Sequence, residues 1–309
     1  MSLRFWRRKL PAEFTRVPRF GAEDVVRASF QAILGREPDD AGLASHSSVL
    51  ARNPREMAKV MRSILTAPES LAVNRPLLLE GLGAIESPVV SLGTHCFASE
   101  FLKRQGLRQW AGPFDWIFST IPMVEHCIRD DFATFLDRTQ YRPIPLERRS
   151  HGTDTNRVDH AFYRARYKVQ SVFNHHDVHE DRDYGYLVRC VERFRAALRS
   201  RERHVFLLMC HPRPQALEEL RALDEAIRQA SGGSRHRLLA FVVDARPSTR
   251  LVPELRVEHD DATLTAMNFQ SVSSWDALTF ADPIDELVIS KLLRDVARRQ
   301  ASARPSEAA

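Results

Sequence analysis

Three short apolar runs constrain the fold more than anything else in the chain. They are SPVVSLG at 87–93, HVFLLMC at 204–210 and RLLAFVVD at 237–244. Seven or eight residues, apolar almost throughout, read as strands buried on both faces. Between and after them the spacing turns helical. Cys96 to Leu107 has helical spacing. Residues 184–198 carry a stripe of Tyr186, Leu187, Cys190, Val191, Phe194 and Leu198. Leu217, Leu220, Leu223 and Ile227 mark another helix, and Asp282-Pro283 opens a last one bearing Ile284, Leu287, Val288, Leu292 and Val296. Strands alternating with helices predict an α/β fold: a mostly parallel sheet with helices on both faces. YKVQSVFNHHD at 167–177 alternates and is expected to be a further strand. Residues 138–165 have no period and are expected to form a long loop.

The first quarter of the chain reads differently. Val26, Phe30, Ile33 and Leu34 share one helical face behind Asp24, which is expected to cap it. GREPDDAG makes a turn, and Leu43 to Leu50 continues as a helix. Asn53-Pro54-Arg55-Glu56 then supplies a cap, a proline at the first helical position and an acid in the first turn. Met57, Val60, Met61, Ile64 and Leu65 follow at spacings of three and four, up to the stop at Pro68. This predicts a small all-α domain over 22–75, before the α/β domain over 86–300. A basic tail (1–21), a linker (76–86) and a disordered tail (301–309) complete the organisation.

Composition excludes more than it assigns. The 309 residues carry a net charge of +5, which is mild, and 40 of the 45 basic residues are arginine. No alternation of basic and aromatic residues supports a nucleic-acid channel. No apolar run approaches the roughly 20 residues of a membrane helix, and RFWRRK near the N-terminus is not followed by the apolar segment of a secretory signal. A soluble cytoplasmic protein is expected. None of the four cysteines forms Cys-x-x-Cys or zinc spacing with histidine. Cys127, Cys190 and Cys210 fall on helix and strand positions that read as packing.

Cys96 is different. It follows a strand end, Ser91-Leu92-Gly93, and precedes a helix. In parallel sheets ligands bind at such ends. A helix starting there aims free N–H groups and its positive dipole end at the sulfur, which favours thiolate, and the same N–H groups near residues 96–97 would hold an oxyanion. The bland alternative is a small residue packed under a loop. The base that a cysteine needs is available in Asn174-His175-His176-Asp177. Only one of the two histidines can face a cleft if the segment is extended. Asp177 and, at another strand end, Asp244 are rival orienting acids. HHDVHE also offers metal-ligand types, but not at helical ligand spacing, so no metal is expected. Gly93, His95, Asp115 and Trp116 are candidate walls or orienting residues, with Asp115 read first as a helix cap.

Two resemblances add to this. ILGREPDDAGL at 33–43 resembles the signature of a small helical domain of unknown function, which implies an interaction module with a protein partner. SLGTHCFASEFLKRQGLRQWAGPFDWIF, with DDFATFL and FNHHD after it, is similar to a bacterial family described as papain-like cysteine peptidases. That resemblance spans about 86–210, more weakly to 300. It implies Cys96 as nucleophile and His176 as base with Asp177 beside it, acting without a cofactor on a peptide or acyl compound. A papain-like fold joins a helical lobe to an antiparallel barrel. The periodicity predicts a parallel sheet instead, and we follow it for the fold and the resemblance for the site. The leading reading is thus a cysteine-dependent hydrolase or transferase. A non-catalytic ligand- or partner-binding protein, or an accessory protein of glycan processing, stays open.

Overall fold

The computed structural model describes residues 21–65, 67–70, 72–74, 85, 87–149, 155–232, 236–246, 252–275 and 278–302. The expected N-terminal tail and linker lie almost wholly outside these residues, as does the C-terminal tail beyond Ser302. The chain divides into two compact units, residues 1–78 and 79–309.

In the first unit, α1 (Ala22–Leu34), α2 (Asp40–Arg52) and α3 (Met57–Leu65) follow one another. Their apolar faces meet in a small core of Val26, Phe30, Leu50, Val60 and Ile64. The polar residues between them end and start the helices. Gly35 terminates α1 at φ 69°. Asp39 caps α2 by accepting the Gly42 N–H at 2.6 Å, and the Asn53 side chain accepts the Arg55 N–H at 3.1 Å. The cap residue of α1 is Gly21. Asp24 sits one turn inside and accepts the Gly21 N–H at 2.8 Å.

The second unit is built on a five-stranded sheet. Its strands are β1 (Val89–Ser91), β4 (Val205–Cys210), β5 (Arg237–Asp244), β6 (Glu254–Asp260) and β7 (Leu264–Gln270), in the spatial order β1-β4-β5-β7-β6. The first four run parallel, and β6 joins β7 antiparallel. Alternation along the strands sorts side chains into two layers. Phe206, Leu208, Leu238, Ala240 and Val242 face one core, which α5 (Ile121–Arg129), α7 (Asp181–Arg199) and α8 (Ala216–Ala230) cover. Val205, Leu207, Met209, Leu239, Phe241 and Val243 face the other, covered by α4 (Phe97–Arg104) and α9 (Pro283–Ser302). Each of these side chains larger than alanine contributes about 1.5–3 kcal/mol on burial. A one-residue slip would exchange the two sets, so the register is strongly determined. Buried Glu286 on α9 ties down the end of α4, accepting from Arg104 at 3.2 Å and from Gln105 at 3.1 Å.

Two expectations are corrected. Residues 167–177 are not a strand. Lys168 at φ 60° and Ser171 at φ 52° break the extended backbone, and the Ser171 N–H turns to Asp159 Oδ1 at 2.9 Å. Only Phe173 pairs, through isolated bridges to Ile117 and Val158. Residues 138–165 are not one loop either: they hold the hairpin of β2 (Tyr141–Pro143) and β3 (Val158–His160), and α6 (Ala161–Tyr167) begins within them. Residues 150–154 of that segment are outside the described part. The hairpin β6–β7 carried no strand signal because ELRVEHD has only two apolar residues. The strand is an edge, charged and bulged between Val257 and His259, features that discourage pairing with another chain. Among the described residues no helix is long and apolar enough to cross a membrane.

Candidate active site

The turn after β1 sets the position of Cys96. Gly93 (φ 73°) and Thr94 (φ 81°) are successive residues in the left-handed region. A Cβ on Gly93 would lie 2.6 Å from the Phe114 carbonyl oxygen, so the turn needs glycine there. Thr94 is held in its unfavourable conformation from two sides: its Oγ1 donates to Met209 O at 2.7 Å, and its carbonyl accepts the Ser119 N–H at 3.0 Å. The chain then enters α4 with Cys96 immediately before the first helical residue. The cysteine is only 5% exposed.

Two neighbours reach its sulfur. His175 Nε2 stands 3.5 Å from Sγ, and Asn174 Nδ2 stands 4.0 Å from Sγ and 2.9 Å from His175 Nε2. The Asn156 N–H donates to Asn174 Oδ1 at 2.8 Å, which fixes the amide with its NH₂ toward the imidazole. Nε2 thus faces two donors, the amide and the thiol, and must be the bare nitrogen, with the ring hydrogen on Nδ1. Burial pushes the Cys96 thiol up from its ordinary value, against the opposing hydrogen bond from Asn174. Burial, followed by the charge of Arg157, pushes the His175 imidazole down. Both shifts favour a neutral thiol beside a neutral imidazole. A backbone hydrogen bond at the helix start also favours thiolate, but less than burial opposes it. One of the N–H groups there is also occupied, since Phe97 N–H donates to His95 Nδ1 at 3.3 Å.

His176 points elsewhere. Its ring packs on Tyr186 at 4.7 Å between centroids, and its Nδ1 lies 3.8 Å from Asp183 Oδ2. Burial pushes its pKa down, against the pull of Asp183. Asp177 does not orient it: the Asp177 N–H donates to Asp183 Oδ2 at 2.8 Å, and its own buried Oδ1 has no hydrogen-bond partner among the described residues. The acid beside His176 is therefore Asp183. Sequence reasoning missed it, although its place in the acidic first turn of α7, three residues before Tyr186, was readable. Asp244 pairs with Arg246, which holds its carboxyl below the usual range, and makes no hydrogen bond to either histidine.

Asp115 is not a helix cap. The nearest helix, α5, is capped by Thr120, whose Oγ1 accepts the Met123 N–H at 3.4 Å. Asp115 is buried and accepts from Gly112 N–H at 2.9 Å and Arg108 Nε at 3.1 Å. Burial raises its pKa to about 6, with Arg108 opposing. The same guanidinium lies 5.3 Å over the Trp116 ring, and Trp116 meets His175 edge-on at 5.9 Å. Asp115, Arg108 and Trp116 thus form a relay of contacts that supports the imidazole. His95 lies on the other side of Cys96, 7% exposed, against Trp275 and His211. Burial, then His211, pushes it down to about 4. Among the described residues no three His, Cys, Asp or Glu side chains gather as metal ligands. The remaining cysteines are buried; Cys127 lies 3.2 Å from Tyr163 Oη, and burial pushes the Cys210 thiol up to about 12.

A mostly parallel α/β sheet with a cysteine, a histidine and an asparagine gathered behind its first strand defines the class. The family model described as "Putative papain-like cysteine peptidase" matches residues 87–243, half of the chain, and the chain belongs to that family. No curated protein and no solved structure matches it.

Proposed function

We propose that this protein is a cysteine-dependent hydrolase or transferase of acyl or peptide bonds, in which Cys96 is the nucleophile and His175 the base. The observation that carries the reading is the 3.5 Å approach of His175 Nε2 to Cys96 Sγ, with Asn174 within reach of both atoms. With both partners neutral at rest, the imidazole takes the thiol proton as sulfur attacks the carbonyl carbon, rather than beforehand. Protonated Nε2 no longer accepts the Asn174 N–H. That donor is released as negative charge develops on the carbonyl oxygen, and it can turn to it. A hydrogen bond available only at that stage stabilises the transition state more than the ground state. The imidazolium then returns its proton to the leaving amine or alcohol. The same nitrogen next draws a proton from the water or acceptor that cleaves the thioester.

Alkylation by iodoacetamide, followed by peptide mass spectrometry, tests this. Cys96 is expected to label faster than Cys127, Cys190 and Cys210. His175→Ala should slow it several-fold, and His176→Ala should leave it nearly unchanged. Equal labelling of all four, or slowing by His176→Ala alone, would sink the assignment. A non-catalytic binding protein is the second reading, favoured by a cysteine that is 5% exposed and whose thiol is pushed up by burial. Retention of all biological activity in Cys96→Ser would select it.

A further inference from the structure

The chain's positive charge is concentrated on one piece of structure. From the start of β2 to the cap of α6, residues 141–168, seven Arg and Lys stand against three Asp and Glu, which accounts for four of the five net charges. The pairing of Tyr141 with His160, Arg142 with Asp159 and Pro143 with Val158 sorts the hairpin's side chains into two faces. Tyr141, Val158 and His160 lie on one face and are buried. Arg142 and Asp159 lie on the other. The Ile144 N–H donates to Arg157 O at 2.9 Å, which continues the pairing by one residue and puts Arg157 on that second face too. Asp159 is already neutralised: Arg164 holds its Oδ2, and the Ser171 N–H donates to its Oδ1 at 2.9 Å. Arg142 is exposed, and its Nη1 donates only to carbonyls, those of Thr139 at 2.7 Å and Tyr141 at 2.8 Å. Neither Arg142 nor Arg148, exposed in the turn that follows β2, has an ion pair among the described residues.

This hairpin is joined directly to the segment that carries the imidazole. Val158 bridges Phe173, the Arg157 N–H donates to Phe173 O at 3.2 Å, and the Asn156 N–H is the donor that anchors Asn174. His175 is the next residue. Burial lowers the pKa of His175 and of His176, and the charge of Arg157 adds to it in each. Pro143 and Pro145 stiffen the backbone on either side of Ile144, so the face is presented with little freedom to lose. An excess of guanidinium over carboxylate matches a ligand that brings carboxylates, which the planar fork of arginine meets with two parallel hydrogen bonds. Nucleic-acid bases would find nothing there to stack on: the only Tyr, Phe or Trp of the hairpin is Tyr141, and it is buried. We propose that this face binds the acidic side chains of a polypeptide, and that peptides with Asp or Glu near the bond attacked by Cys96 are the substrates. The substrate role rests on the hydrolase reading; the acidic-peptide surface does not.

Isothermal titration calorimetry at low salt, on full-length Cys96→Ser protein, tests the surface. The probes are an end-blocked hexapeptide of alternating Glu and Ala, the same peptide with Gln in place of Glu, and a thymidylate tetramer of equal charge. The Glu peptide is expected to bind at least about tenfold more tightly than the Gln peptide, and high salt should erase the margin. Arg142→Glu combined with Arg148→Glu should abolish the preference without moving the unfolding midpoint. Equal affinity for the Glu and Gln peptides, a preference unchanged in the double variant, or tighter binding of the thymidylate overturns the surface. The native protein tests the substrate role. Saturating Glu peptide should slow alkylation of Cys96 several-fold. Binding that leaves the rate untouched overturns the substrate role and leaves the surface standing. A Cys96 that labels no faster than the other three cysteines, in a protein that still prefers the Glu peptide, counts against the hydrolase reading and not against the surface.

Discussion

Asn174 has the most demanding set of contacts in the site. Its oxygen is anchored by the Asn156 N–H, and its nitrogen faces both sulfur and imidazole. Asn174→Ala removes the only side-chain donor shared by Cys96 and His175 in the hydrogen bonds described. We expect it to lower kcat by roughly 10²-fold, the usual cost of one oxyanion donor, with a small effect on KM, read from steady-state kinetics once a substrate is in hand. The protonation states give a second outcome. With the Cys96 thiol raised and His175 lowered, the alkylation rate of Cys96 should climb through alkaline pH, with a midpoint above that of free cysteine. A plateau already reached at pH 5 would reveal a preformed thiolate–imidazolium pair and contradict the neutral pairing. At this scale the sequence showed the residue types but not their phase. Adjacent histidines on an extended stretch diverge, yet which one turns inward depends on the irregular backbone at Lys168 and Ser171, and helical or alternating periodicity carries no trace of that. Asp183 was hidden for another reason: it reaches His176 from a different element.

The elements that hold the site are the strand-to-helix turn and the irregular segment carrying Asn174 and His175. Gly93 is the tightest point of the turn, being left-handed and facing the Phe114 carbonyl. Gly93→Ala adds both backbone strain and a steric conflict with main chain. A loss of at least about 2 kcal/mol is expected by chemical denaturation, and Cys96 labelling should change with it. A variant as stable as the parent would mean that the Phe114 loop yields easily. The strands β1, β4 and β5 were legible because their residues are buried on both faces, which leaves an unbroken apolar run. The β6–β7 pair was not, because an exposed edge strand is selected for charge. The segment at 167–177 alternates in the sequence, but α6 ends in a left-handed residue, and Asp159 captures a backbone N–H that a strand would have used.

Across the whole molecule, buried titrating groups set the response to acid. His95 and His160 are held down to about 4 by burial. The unfolded chain takes up those protons near pH 6.5 while the folded chain resists, so the stabilisation they give above that pH is lost as pH falls toward 4. Each contributes on the order of 3 kcal/mol to that loss. Asp115, raised to about 6, acts in the opposite sense: its contribution is largest in acid and declines as pH rises from about 4 to 6. Of these three groups the two histidines outweigh the carboxyl, so their combined effect is a drop of the urea midpoint between pH 6.5 and 4, and His160→Gln should flatten that drop. A midpoint unchanged across the window would show that both rings already carry protons in the folded state. The two layers of the sheet carry a further implication. Cys96 leads directly into Phe97, which belongs to the core shared with α9, whereas His175 follows Phe173, which belongs to the core shared with α7 and α8. A partly assembled chain, with one oily compartment closed and the other still open, would hold the thiol and its imidazole apart. The contact between Cys96 and His175 therefore needs both layers closed, and the reactivity of the thiol is expected to report on completed folding.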